Sequence, residues 1–153
     1  MLDLACGHGR HARLLASRGY RVIAVDRDAQ ALASLDACDG VEVMQADLED
    51  DVWPLHEQRF AGVIVANYLH RPLLPRLLQA LLPSGVLIYE TFAAGNERYG
   101  RPANPKFLLQ PGELLRLAYG HLRIVAYEDV YSDSPRPAMI QRICAVADSG
   151  LRE

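Results

Sequence analysis

The sequence predicts an α/β fold, a doubly wound and mostly parallel seven-stranded sheet. Short apolar runs alternate with helical patterns along most of the chain. The first run, in Met1-Leu2-Asp3-Leu4-Ala5-Cys6-Gly7-His8-Gly9-Arg10-His11, breaks on two glycines spaced one apart and enters a helical pattern. The second run ends on an acid, Asp26. Strand, tight turn and helix start in that order bring bare backbone against a nucleotide-like ligand. Glycine at positions 7 and 9 permits φ > 0 and removes the Cβ that would hold such a ligand away.

The first strand reads as Leu2 to Cys6, and Arg10 to Arg18 follows with Ala12, Leu14 and Leu15 at helical spacing before Gly19 stops it. Tyr20 to Asp26 is the second strand, and Asp28 caps a helix through Leu35. Asp39-Gly40 turns the chain into a third strand, Val41 to Ala46. The acidic stretch from Asp47 to Arg59, interrupted by Pro54, reads as loop or one short helix. Phe60 to Ala66 is the fourth strand, and the leucine-rich Pro72 to Leu82 is a helix. Pro83-Ser84-Gly85 turns into a fifth strand, Val86 to Thr91. A helix from Pro111 to Tyr119 precedes two closing strands, Leu122 to Glu128 and Met139 to Val146. Residues 93–110 are too long for a plain connection and read as a lid or substrate loop.

At 153 residues, half of them apolar, the chain is expected to form one domain over residues 1–153. A net charge of -3 argues against a general nucleic-acid binder, since little here would neutralise a phosphate backbone. Cys6, Cys38 and Cys144 form no C-x-x-C, so reduced thiols and a cytoplasmic setting are expected. No apolar run approaches the ~20 residues of a membrane helix, and no signal peptide is expected ahead of the first strand.

In a doubly wound sheet, ligands sit beyond the carboxyl ends of the strands where the strand order reverses. Those ends carry Gly7 and Gly9, Asp26, Asp47, Asn67 and Glu90. A carboxylate after the second strand takes both hydroxyls of a ribose. Asp47 accepts from an exocyclic amine while Leu48 covers one face of a base, with Trp53 close behind. Together these residues describe an adenosine pocket.

Asp3-x-x-Cys6-Gly7-x-Gly9, then Asp26, then Asp47-Leu48, resembles the class I S-adenosylmethionine-dependent methyltransferases, whose seven-stranded Rossmann-like sheet has an antiparallel last strand. The resemblance covers essentially the whole chain. It implies S-adenosyl-L-methionine as cofactor, with Ala5, Gly7 and Gly9 around its methionine part and Asp3, His8 and Arg27 among the further cofactor-binding residues. Asp26 is then expected at the ribose, Asp47 and Leu48 at the adenine, and Asn67 near the transferable methyl. Tyr89-Glu90-Thr91-Phe92 and the segment from Gly95 to Pro102 look most like the small-molecule, tellurite-resistance-type members, so a small-molecule methyl acceptor is implied. That family normally carries helices ahead of the first strand. Met1 lies inside that strand here, so either the chain start is misplaced, or the pocket is open, or another subunit, as in a homodimer, covers it. Ala61-Gly62 stands where many relatives carry an acid, a structural position.

Candidate catalytic or acceptor residues are Tyr68, His70 and Glu90, and the candidate substrate loop carries Arg98, Tyr99 and Arg101. Each has a plainer reading. His70 is either a general base or a surface histidine before Pro72; Glu90 either orients a substrate amine or braces the loop through Arg98. Arg98, Arg101 and Lys106 either clamp an anionic acceptor or are solvated loop charges. Cys6, His8 and His11 fit no zinc spacing, so no metal site is expected. Gly7-x-Gly9-x-x-Ala12 also satisfies the dinucleotide pattern. A pyrophosphate beside Asp3 would meet added negative charge, however, whereas a sulfonium would not. A non-catalytic or partner-dependent cofactor-binding module is the other alternative.

Overall fold

The computed structural model describes residues 1–149. Seven strands form one sheet in the order β3-β2-β1-β4-β5-β7-β6. β1 (Leu2–Leu4), β2 (Val22–Asp26), β3 (Val41–Gln45), β4 (Phe60–Ala66) and β5 (Leu81–Phe92) pair in parallel. β7 (Ala138–Ala147) lies antiparallel between β5 and β6 (Leu122–Ser132). The helices are α1 (Arg10–Ser17), α2 (Ala29–Ala33), α3 (Leu74–Gln79) and α4 (Glu113–Ala118). This is the predicted α/β architecture, antiparallel closing strand included.

Burial explains the sequence pattern. β1 is paired on both sides and covered on both faces, so its residues are all buried and its run is apolar apart from Asp3. The larger core gathers Leu2, Leu4, Val65, Leu77, Leu87 and Leu114, each almost fully buried, at about 1.5–3 kcal/mol per side chain. A smaller core under α1 and α2 holds Ala12, Val22, Ala24, Leu32 and Leu35. Asp28 caps α2 as its sequence promised, accepting from the Gln30 and Ala31 N–H groups.

Several boundaries differ from the sequence reading. The helix expected over Pro72 to Leu82 is a 3-10 turn at Arg71–Leu73 followed by α3, which stops at Gln79. Leu81 instead pairs with Phe60 and opens β5, so Pro83-Ser84-Gly85 lies within a bulged strand. Leucine spacing serves a buried helix and a buried strand equally well, and here the sheet claims the last residues. β6 and β7 run on to Ser132 and back from Ala138, because hairpin pairing carries polar residues that read as loop. The Asp28 helix ends at Ala33, continuing only as turns toward Leu35.

The segment 93–110 is tied down at both ends. Ala93 bridges to Leu109, and the buried Asn96 accepts from the Met139 N–H while donating to the Pro102 carbonyl. Arg71 spans to it from the turn before α3, donating to the Lys106 and Leu108 carbonyls and to both oxygens of Glu113, at 2.7 and 2.9 Å. Burial alone would raise the Glu113 carboxyl, but hydrogen bonds from Arg71 and the Gln110 N–H bring it below its ordinary value. Arg71→Ala is expected to cost about 1–2 kcal/mol in urea denaturation at pH 7, discounted for partial exposure. A depressed carboxyl contributes above its unfolded value and loses that contribution as acid protonates it. The deficit of the variant therefore shrinks as pH falls below about 4.

Candidate active site

Strand order reverses between β1 and β4, and the crevice at their carboxyl ends holds the site. Ala5 follows β1 with φ 53° and Asn67 follows β4 with φ 55°. Both are non-glycine residues in the left-handed region, which costs roughly 1–2 kcal/mol at an alanine. These two residues are the wall shared by two neighbouring cavities, of about 230 and 290 Å3.

The first cavity is lined by Asp26 and Arg27 from the end of β2, and by Ala46, Asp47, Leu48 and Glu49 after β3. Asp26 Oδ2 accepts the Gly7 N–H at 2.8 Å and Oδ1 accepts the Asp28 N–H at 2.9 Å. Each carboxylate oxygen keeps a second lone pair for a ligand hydroxyl. Asp47 turns back to accept the Glu49 N–H, and Leu48 is buried. Tyr68 also lines this cavity, and its hydroxyl is buried with no hydrogen-bond partner among the described residues. Burial, with Glu49 and Asp47 adding to it, pushes the phenol up to about 12. A buried donor of this kind requires an acceptor from a ligand or from solvent, and the phenol stays protonated near pH 7, so it does not serve as a base there.

The second cavity is lined by Asp3, Cys6 and Gly7 and by Arg10 and His11 from the first turn of α1, with Ala66 opposite. Asp3 is buried, and its Oδ2 accepts the Ala12 N–H at 2.8 Å, fixing α1 to β1. Burial raises the Asp3 carboxyl to about 6 against that hydrogen bond. Burial, then the charges of Asp3 and Asp26, pushes the Cys6 thiol up to about 12, so Cys6 is an inert wall. One negative and one positive side chain, Asp3 and Arg10, match the ammonium and carboxylate of an amino acid.

The two glycines of the turn have separate tasks. A Cβ on Gly7 would meet nothing within 4 Å, which is the open approach expected. A Cβ on Gly9 would come within 2.5 Å of Leu35, so Gly9 exists for helix packing and lines neither cavity.

Several other sequence expectations are corrected. His8 is exposed and lines neither cavity. Trp53 lines a different cavity, with Gln79 and Ala80, and does not back the adenosine pocket. His70 flanks the 3-10 turn before α3, outside both cavities. Glu90 is braced by Arg142 rather than Arg98, with Nε 3.1 Å from its carboxylate. Arg98, Tyr99 and Arg101 are exposed; Tyr99 stacks on Tyr131 at 5.2 Å, and Arg101 lines a separate surface cavity with Arg136. No group of three or more His, Cys, Asp or Glu among the described residues is placed to hold a metal. Arg10, His11 and Glu49 were missed as site residues. The usable signal for the first two was their place in the first helical turn, at the crevice.

A family profile described as "Methyltransferase domain" matches residues 1–84, more than half of the chain. The chain belongs to this methyltransferase-domain family. Among curated relatives, the trans-aconitate 2-methyltransferase of Paracidovorax citrulli (strain AAC00-1) is 35% identical over 96 residues, covering 57% of this chain and 36% of that protein. The Azoarcus sp. (strain BH72) protein of the same name is 39% identical over 92 residues, again covering 57% and 36%. The match thus spans about a third of the length of these relatives. TehB from Haemophilus influenzae shares the fold at TM-score 0.79 and 14% identity, over 96% of this chain and 57% of that one. An S-adenosylmethionine dependent methyltransferase from Mesorhizobium loti does so at TM-score 0.71 and 20% identity, over 95% and 89%. The fold is therefore that of the methyltransferase sheet, and the matched residues 1–84 contain every residue that lines the two cavities.

Two measurements check this geometry. Gly9→Ala is expected to lose about 2–3 kcal/mol in urea denaturation through overlap with Leu35, while Gly7→Ala loses about 1 kcal/mol of backbone strain alone; equal losses would contradict the division. Folding raises Asp3 from 3.8 to about 6, so the folded chain retains a proton that the unfolded chain releases between those values. Its contribution to stability is therefore full below pH 4 and is lost as pH climbs to about 6, by up to about 3 kcal/mol. Asp3→Asn should lack that descent when stability is followed from pH 4 to 7.

Proposed function

We propose that this chain binds S-adenosylmethionine and transfers its methyl group to a small-molecule acceptor. The observation that carries the reading is the Asp26 carboxylate, held by the Gly7 and Asp28 N–H groups at the edge of a cavity lined by Asp47, Leu48 and the unpartnered Tyr68 hydroxyl. These residues fit an adenosine: Asp26 takes the ribose hydroxyls, Asp47 accepts from the adenine amine, and Leu48 packs under the base. The adjoining cavity fits the methionyl part, with Arg10 at its carboxylate and Asp3 toward its ammonium. Asn67, common to both, stands where the two halves meet. When bound, the sulfonium supplies an activated methyl. The work left to the chain is alignment of an acceptor and exclusion of water.

The names of the curated relatives support a small-molecule acceptor, since both are methyltransferases of trans-aconitate. Three free thiols, Cys6, Cys38 and Cys144, support a cytoplasmic setting. Among the described residues no helix is long and apolar enough to cross a membrane.

Calorimetric titration tests the reading. S-adenosylmethionine and S-adenosylhomocysteine should bind with micromolar affinity, and NADH should not. Asp26→Ala should weaken both by about 30-fold or more, near 2 kcal/mol, for loss of charge-assisted hydrogen bonds. Unchanged affinity in that variant would place the ribose elsewhere.

A further inference from the structure

The cavity beside His11 adjoins a row of charges that cofactor binding leaves unused. Ala66, one of its walls, is the ladder partner of Glu90 on β5; Glu90 is paired with Arg142 on β7, and Arg142 with Glu128 on β6. Ladder partners share a face of the sheet, so this row runs outward from the cavity with Glu90 nearest. The Glu90 carbonyl also accepts the Asn67 N–H at 2.9 Å, which seats Glu90 against the residue common to both cavities. Arg142 Nε lies 3.1 Å from Glu90 and 3.2 Å from Glu128. Two carboxylates share one guanidinium, so the row keeps a net negative charge.

We propose that the methyl acceptor is an amine, drawn in as its ammonium by Glu90 and relieved of a proton by His11. The proposal rests on the cofactor reading above and names the acceptor class for that same site. On the cofactor reading the cations near the crevice are already committed: Arg10 lines the cavity assigned to the methionyl part, Arg27 lines the adenosine cavity, and Arg142 lies between two carboxylates. A carboxylate acceptor would face Glu90, and among the described residues the linings of the two cavities supply no arginine or lysine besides Arg10 and Arg27. An ammonium finds an acceptor for its N–H groups. The trans-aconitate methyltransferases, whose named substrate is a carboxylate, match only 57% of this chain. The family profile ends at residue 84, before Glu90, Glu128 and Arg142. The acceptor side of this chain is thus free to differ from theirs.

His11 stands in the first turn of α1 and lines the cavity with Arg10, Asp3 and Cys6, within the field of Glu90 from β5. Burial first, then Arg10, holds its imidazole below the ordinary range against the pull of Glu90, which leaves it neutral at pH 7. The ammonium gives one proton to the imidazole, and the freed nitrogen lone pair forms the N–CH3 bond. The C–S bond breaks and its electron pair stays on sulfur. The products are the methylated ammonium, S-adenosylhomocysteine and a proton that passes from His11 to solvent.

The test measures methyl transfer from labelled S-adenosylmethionine to matched pairs, benzylamine with benzoate and butylamine with butyrate, together with their calorimetric binding to the S-adenosylhomocysteine complex. Amines should bind and accept methyl in preference to the carboxylates. Glu90→Gln should lower kcat/KM for the amine by about tenfold or more while cofactor affinity stays within about twofold. Glu128→Gln also takes a carboxylate from Arg142 but lies away from the cavity, and should keep amine turnover within about twofold. His11→Gln should lower kcat by about 100-fold and remove the acid limb of its pH profile. Preference for the carboxylates, no amine bound while the cofactor binds, or Glu128→Gln falling alongside Glu90→Gln would overturn the proposal. Failure of the wild-type chain to bind S-adenosylmethionine would instead strike the cofactor reading beneath it.

Discussion

Two carboxylates grip the turn between β1 and α1, and the site depends on that grip. Asp3 holds the helix side through the Ala12 N–H, and Asp26 holds the strand side through the Gly7 N–H. The Asp3 side of the grip carries a cost. Asp3 is buried at the cost of a carboxyl raised to about 6, and the turn it steadies leaves Ala5 in the left-handed region. Such costs persist where the surroundings over-determine them, and they cluster at ligand sites. Asn67 carries the matching conformation across the crevice. The strain sits at the two strand ends where the sheet order reverses, and there the two cavities meet.

The chain divides its work along its length. Residues 1–84, which match the family profile, carry both cavities and the whole carboxylate grip on the turn. β5, β7 and β6 then extend the sheet beyond the crevice and set Glu90, Arg142 and Glu128 side by side. The first part is what any adenosyl ligand with an amino-acid tail requires. On the proposed reading the second meets the methyl acceptor, and it lies beyond the residues that match the family profile. Segment 93–110 belongs with this second part, though its anchors (Asn96, the Ala93 bridge and the Arg71 contacts) make it a braced structure over its length.

Much of this was legible in the sequence because the site is a matter of strand ends. Asp26, Asp47 and Asn67 follow apolar runs whose lengths are easily read, and the fold rule places such residues at the crevice. Gly7 and Gly9 were legible as a turn, but their different reasons were not: only the distant Leu35 reveals that Gly9 is a packing residue. Leu81 shows a second limit, since leucine at helical spacing satisfies a buried strand as readily as a helix. The Glu90–Arg142 pair shows a third. Antiparallel register across a long connection sets that contact, and no local pattern near Glu90 points to residue 142. Trp53 was misplaced for a related reason: nearness in sequence to Asp47 did not keep it on the same side of the sheet's end.

The most direct test is a crystal structure of the chain with S-adenosylhomocysteine. The account predicts ribose hydroxyls on Asp26, adenine over Leu48 with its amine at Asp47, the amino-acid tail between Asp3 and Arg10, and sulfur beside Asn67. Density for the ligand in another cavity, or a ribose turned away from Asp26, would contradict it.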